Sequence, residues 1–195
     1  MAKKAKSRRP GLLRTLLAVL VVLALAATLL FTVFRRQVDT MEYPCRYNEY
    51  VEYYAGKYNI DPLILYSFIR TESNFNPNAQ SNVGARGLMQ ITEETFDWVK
   101  SRLEPQSDTT YDAMYEPEKN IEYGTYLLHA LTEQFGSVNN ALCAYHAGWG
   151  SATSWLENPE YSADGEIHTI PYADTAQYVG KVRRTCQIYR ELYGE

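Results

Sequence analysis

The sequence predicts an all-α protein: one compact helical domain preceded by a single N-terminal transmembrane helix. Three observations lead there. The twenty residues from Thr15 to Phe34 carry no charge and are dominated by Leu, Val and Ala, about the length a helix needs to cross a bilayer core. From Tyr47 to Tyr193, apolar residues recur at the three- and four-residue spacing of a helix face. No segment shows the strict alternation of a half-buried strand, and there is no repeat or low-complexity tract.

Charge divides the chain near Arg36. Residues 1–36 hold eight Lys or Arg and no acid, whereas 37–195 hold eleven Lys or Arg against twenty-three Asp or Glu. This asymmetry predicts a basic cytoplasmic tail over 1–14, a membrane span over 15–34, a polar connector over 35–46 and a body over 47–195 outside the cell. Six basic residues from Lys3 to Arg14 precede the apolar run and only Arg35 and Arg36 follow it, which sets that orientation. Ala24-Leu25-Ala26 has the small-x-small pattern of a signal cleavage site. A cut there would leave the apolar run to Phe34 as a new terminus, so an uncleaved anchor is the better reading. The acidic body, without a basic stripe to meet phosphates, excludes nucleic acid as a partner.

The body elements follow in order. Tyr47, Tyr50, Val51, Tyr54, Ala55 and Tyr58 predict a first helix over 47–58. Asp61 as N-cap with Pro62 at the first position opens the next, PLILYSFIRTES. Thr92 caps a third, in which Glu93 and Glu94 occupy the first turn, Phe96, Val99 and Leu103 form the inner stripe, and Pro105 ends it. Residues 104–116 read as a surface loop. A long helix over 117–135 turns Ile121, Leu128, Leu131 and Phe135 inward and ends at Gly136. Helices over about 137–145 and around Trp155 follow, then an irregular stretch over 159–171. A last helix over 174–193 carries Tyr178, Val182, Cys186 and Tyr189 as its stripe. Of the three cysteines, Cys45 and Cys186 flank the body, where a bridge would tie its ends; buried free thiols are the equal alternative.

Glu72 stands out within this frame. Leu65, Phe68 and Ile69 lie seven, four and three residues before it, so the carboxyl shares their apolar face. Burial there disfavours the charged form and keeps the carboxyl protonated near neutral pH, as a general acid requires. The plainer alternative is a solvated Glu at a helix end near Arg70 or Arg86. A loop with Asn76-Pro77, Gly84 and Gly87 follows, folding the backbone back over the carboxyl.

Thr71-Glu72-Ser73 followed by Gly84-Ala85-Arg86-Gly87-Leu88-Met89-Gln90, with Ala144-Tyr145-His146-Ala147-Gly148-Trp149-Gly150 farther on, resembles the catalytic core of the soluble-lytic-transglycosylase-type family. The resemblance covers roughly Tyr47 to Tyr193. It implies a compact fold similar to goose-type lysozyme, with a substrate groove across it, and glycan strands of peptidoglycan as the partner. It also implies a reaction in which Glu72 protonates the bridging oxygen between N-acetylmuramic acid and N-acetylglucosamine. Glu72 then deprotonates the muramyl 6-hydroxyl, which closes into a 1,6-anhydro end. A lone carboxyl suffices because the substrate's acetamido group assists; no metal or cofactor is implied.

Ser73, Met89, Gln90, Tyr145, His146 and Tyr178 are the substrate-side residues the resemblance carries over, Met89 packing on a sugar face and Tyr178 approaching Glu72. His146 departs from the Asn common in the family, and imidazole chemistry at that position can alter the pH optimum. As a metal ligand it has no companion, since His129 and His168 lie at no ligand spacing. Glu93 and Glu94 serve helix capping, and Asp97 is the nearest acid without a role. Two other functions compete: a muramidase cleaving the same bond with water, and a wall-binding module without catalysis. The retained Glu72 argues against the second.

Overall fold

The computed structural model describes residues 10–194; most of the predicted basic tail lies outside the described residues. Two compact units, Met1–Pro44 and Cys45–Glu195, make up the chain.

The first unit is one helix, α1 (Pro10–Glu42). It is long and apolar enough to cross a membrane by length and composition. Leu20, Leu30 and Phe34 are each more than 60% exposed, so its apolar surface has no protein cover, as in a lipid-facing helix. Thr15 and Thr28 hydroxyls donate to Gly11 O and Ala24 O, one turn back, which satisfies polar side chains inside the apolar run. The helix overruns the predicted connector. Gln37 to Glu42 contain neither Gly nor Pro, and Pro44 is the first breaker.

The second unit is helical, in the order α2 (Asn48–Tyr58), α3 (Pro62–Ser73), α4 (Glu93–Leu103), a 3₁₀ turn (Tyr111–Tyr115), α5 (Pro117–Phe135), α6 (Val138–Ala147), α7 (Trp149–Glu157), a hairpin β1–β2 and α8 (Ala173–Tyr193). The caps read from sequence form: Asp61 accepts from Leu63 N, and the Thr92 hydroxyl accepts from Thr95 N. Helix α3 lies against α8 and α2, and α5 against α2, α4 and α6. Leu65, Phe68, Ile69, Ile121, Leu128 and Tyr189 are fully buried between them, each worth about 1.5–3 kcal/mol of transfer free energy.

Two features depart from the expected outline. Tyr111–Tyr115 adds a 3₁₀ turn to the predicted loop, and its Met114 is fully buried. Ser162–Ala163 pairs antiparallel with Glu166–Ile167 through Asp164-Gly165, both at positive φ, the signature of a type I′ turn. The cysteines are free thiols. Cys45 is hydrogen-bonded to Tyr193 and Cys186 to Ser67, so the bridge weighed from the sequence is not made.

Candidate active site

Helix α3 delivers Glu72 in its last turn, and the chain then reverses sharply. Asn74 and Phe75 both sit at positive φ, +52° and +62°, a conformation costing a non-glycine residue roughly 1–2 kcal/mol. Phe75 is almost fully buried, which offsets that cost. The following loop closes on itself: Arg86 and Ile91 exchange both backbone hydrogen bonds, and Gly87 N donates to Ala79 O. Gly87 is obligatory at φ +75°, because a Cβ there would stand 2.0 Å from Met114 O and 2.3 Å from Asn120 Nδ2.

Asn120 of α5, wholly buried, is the clamp beneath this loop. Its Nδ2 donates to Arg86 O and Met114 O, and its Oδ1 accepts from Met89 N at 2.7 Å. The loop carbonyls that remain face two predicted site residues. Ser73 Oγ donates to Leu88 O at 2.8 Å, and Tyr145 OH to Met89 O at 2.6 Å. Gln90 Nε2 donates to Gly87 O and Ala79 O, which leaves its carbonyl oxygen for other contacts. Arg86 lies over the Tyr111 ring at 4.0 Å and pairs with Asp112, fastening the loop's outer edge.

Met89 departs from expectation. Its side chain is fully buried and fills the space above Gly124 of α5, where a Cβ would come within 2.3 Å of Sδ. A sugar face is out of its reach; Met89 anchors the loop as a core residue.

At the carboxyl itself, Tyr178 OH donates to Glu72 Oε1 at 2.5 Å. Burial pushes the Glu72 pKa up to about 7, opposed by the Tyr178 hydrogen bond and the Lys181 charge. None of these influences is a second carboxylate. Lys181 is held by its own hydrogen bond to Thr71 O. Burial, and then the charge of Glu72, drive the Tyr145 and Tyr178 phenols well above their ordinary range, so both remain neutral donors. Phe68, one turn before Glu72, meets both tyrosine rings edge-on. His146, exposed, stacks on Tyr178 with ring centres 4.4 Å apart, and its Nδ1 lies 3.0 Å from Thr175 Oγ1.

The structure therefore gathers Glu72, Tyr178 and His146 at one point, with Ser73, Tyr145 and Gln90 in the adjoining frame. Asp97 is exposed on α4. Asn120, Gly124, Thr175 and Lys181 escaped sequence reasoning. Asn120 and Gly124 carried one usable signal, a small polar residue and a glycine on the stripe that continues to Leu128. Among the described residues no group of three His, Cys, Asp or Glu is placed to hold a metal. A cleft of about 890 Å³ runs past Leu142, Val182, Arg183, Arg184 and Gln187. Glu72, Tyr178 and His146 are not among its lining residues, so this cleft is separate from the carboxyl.

In sequence and fold the chain is similar to known proteins. The sequence profile of the Transglycosylase SLT domain matches residues 49–167. Over 158 residues the chain is 32% identical to the soluble lytic murein transglycosylase of Escherichia coli K12, covering 78% of this chain and 24% of that one. Over 104 residues it is 36% identical to the transglycosylase of Enterobacteria phage PRD1, covering 51% and 36%. The chain thus spans about a quarter of the Escherichia coli protein's length. Among solved structures, the 70 kDa soluble lytic transglycosylase of Escherichia coli superposes with a TM-score of 0.73 at 30% identity, over 80% of this chain and 26% of that one. An inactive Glu-to-Gln mutant of the lytic transglycosylase Slt from Pseudomonas aeruginosa gives 0.70 at 28%, with the same coverage. A 70 kDa soluble lytic transglycosylase in complex with bulgecin A superposes with a TM-score of 0.73 at 30% identity. With a profile match over more than half its length and a shared lysozyme-like fold, the chain belongs to the Transglycosylase SLT domain family.

Proposed function

We propose that this protein is a membrane-anchored peptidoglycan lytic transglycosylase that cleaves the bond between N-acetylmuramic acid and N-acetylglucosamine. The observation that carries the reading is the single carboxyl of Glu72, lifted to about 7 by burial and held by Tyr178. Such a group is protonated often enough near neutral pH to act as an acid, and is still a competent base once ionised.

Tyr178 occupies Oε1, which leaves Oε2 to carry the proton. Oε2–H protonates the bridging oxygen as the C1–O4 bond breaks, while the substrate's acetamido oxygen stabilises C1. The leaving sugar departs as an alcohol. Oε2 then takes the proton of the muramyl 6-hydroxyl as O6 bonds to C1. The proton on O4 and that from O6 balance, Glu72 returns to its acid form, and water is not consumed. Lys181 and Tyr178 stabilise the carboxylate between the two halves. Helix α1, with its apolar surface exposed and basic residues concentrated before it, anchors the body on the extracytoplasmic side.

The test is digestion of purified peptidoglycan by the detergent-solubilised chain, followed by mass analysis of the products. Anhydromuramyl ends are expected, with Glu72→Gln lowering the rate by about 10²–10⁴-fold. Reducing ends would instead identify a muramidase, and glycan binding without cleavage a wall-binding module.

A further inference from the structure

His146 packs on the tyrosine that donates to Glu72, and its surroundings give the ring a task distinct from meeting substrate. The phenol of Tyr178 is enclosed from two sides. Phe68, fully buried, meets it edge-on at 6.3 Å, and His146 covers it face to face at 4.4 Å with 29° between the planes. His146 is exposed, so its ring is the layer between water and the Tyr178–Glu72 hydrogen bond. The ring is also latched. Nδ1 lies 3.0 Å from the hydroxyl of Thr175, which is 1% exposed and sits three residues before Tyr178 on α8. Residues three apart on a helix lie on one face, so α8 supplies both the surface the imidazole stacks on and the hydroxyl that fixes its rotation. An Asn side chain is too short to form that cover.

We propose that His146 is a positioning residue: it shields and orients Tyr178 as the donor to Glu72, so that α6 helps to set the proton affinity of the carboxyl. This rests on the reading of Glu72 as the general acid. The other groups facing the carboxyl are Tyr145 from α6 and Lys181 from α8. Asp174 lies beside the latch, its carboxylate accepting from Thr175 N. Of these, only His146 bears on Glu72 through a stacked ring. Burial is the main influence raising Glu72, so opening that wall to solvent moves the carboxyl down.

The experiment follows Glu72 by the ¹³C shift of its carboxyl across pH, alongside kcat and KM on peptidoglycan, in wild type, His146→Ala, His146→Phe and Thr175→Val. The expected result for His146→Ala is a midpoint lowered by about one unit, and kcat/KM at pH 7 reduced about fivefold through the smaller protonated fraction. His146→Phe, which keeps a flat ring over Tyr178, restores both. Thr175→Val, which frees the latch, shifts the midpoint the same way by less. Thermal unfolding confirms that each variant is folded. An unmoved Glu72 midpoint in folded His146→Ala, with KM raised instead, would overturn the proposal and make His146 a substrate ligand. Failure of the phenyl ring to restore the midpoint would overturn it too. Because the titration is read without turnover, it stands apart from the reaction: retained cleavage by Glu72→Gln would sink the general-acid reading instead.

Discussion

Asn120 and Asn140 make the same three-bond pattern in two regions of the body. Each is fully buried on a helix, donates Nδ2 to two carbonyls and accepts one backbone N–H at Oδ1. Asn120 grips Arg86, Met114 and Met89; Asn140 grips Phe135, Gly165 and Ile167. Both fasten an irregular segment to a helix bundle, which is how a buried amide repays its desolvation. What differs lies one step outward. Beyond Asn120, the carbonyls of Leu88 and Met89 receive Ser73, the neighbour of Glu72, and Tyr145. Beyond Asn140 stand a two-residue hairpin and a surface contact from Ser137 to Glu166. One clamp frames the buried carboxyl and the other a turn.

The difference is testable, starting with its largest consequence. Asn120→Ala strands Met89 N–H and Met114 O in the interior, while Arg86 O keeps its bond from Ile91 N. Met114 is fully buried, so water cannot easily replace the lost bonds. A loss of about 3–5 kcal/mol is expected from two unpaired groups and a carbonyl that loses one of its two bonds, read as the shift in the denaturant midpoint. Peptidoglycan cleavage should fall by about tenfold or more even at a temperature where the variant is folded, because small displacements of a reacting frame are costly. Full activity in folded Asn120→Ala would break the link from clamp to carboxyl.

Asn140→Ala is the matched control. Gly165 is exposed, and its carbonyl recovers a water when the amide is removed, so a smaller loss of about 2–3 kcal/mol is expected. Among the described residues the hairpin makes no hydrogen bond to Glu72, Tyr178 or His146, so kcat should stay within about twofold of wild type. A large fall in kcat at unchanged fold would show that the hairpin reaches the reaction, and would erase the contrast.

Why sequence reading found one side of this comparison and not the other is a question of range. The helix stripes, the Asp61 and Thr92 caps and the apolar approach to Glu72 are local regularities, and they place α2 to α8 with small errors. Glu72, Tyr178 and His146 are legible in the sequence from the apolar stripe and the motifs around them. The stack of His146 on Tyr178 was invisible, because 32 residues of chain separate two rings that meet only once α6 and α8 pack. Met89 was misplaced for the same reason: whether a Met after Gly-Leu faces a groove or the core depends on Gly124, which opens a space for it from another helix. The hairpin lies inside the stretch that reads as irregular, since strands of two residues show no alternation to read. The connector became helix for lack of a breaker before Pro44.

A last contrast concerns what each region costs the folded state. The Asn140 side carries paired neutral groups, whereas the Asn120 side shelters a carboxyl raised from 4.5 to about 7. Since the folded value exceeds the unfolded one, the protein holds its proton more tightly than the unfolded chain. The stability this gives is fully present below about pH 4.5 and is lost as pH rises through 7. The shift itself sets an upper bound of roughly 3 kcal/mol, and solvent at the open edge of the site brings the expected figure to about 1–2 kcal/mol. Glu72→Gln keeps an oxygen to accept from Tyr178 and removes the titration. Its melting temperature should match wild type at pH 4 and exceed it by a few degrees at pH 8, while Asn140→Ala should lie below wild type by a similar margin at both. A Glu72→Gln advantage that is independent of pH would mean that repacking, rather than the buried charge, sets the difference between the two regions.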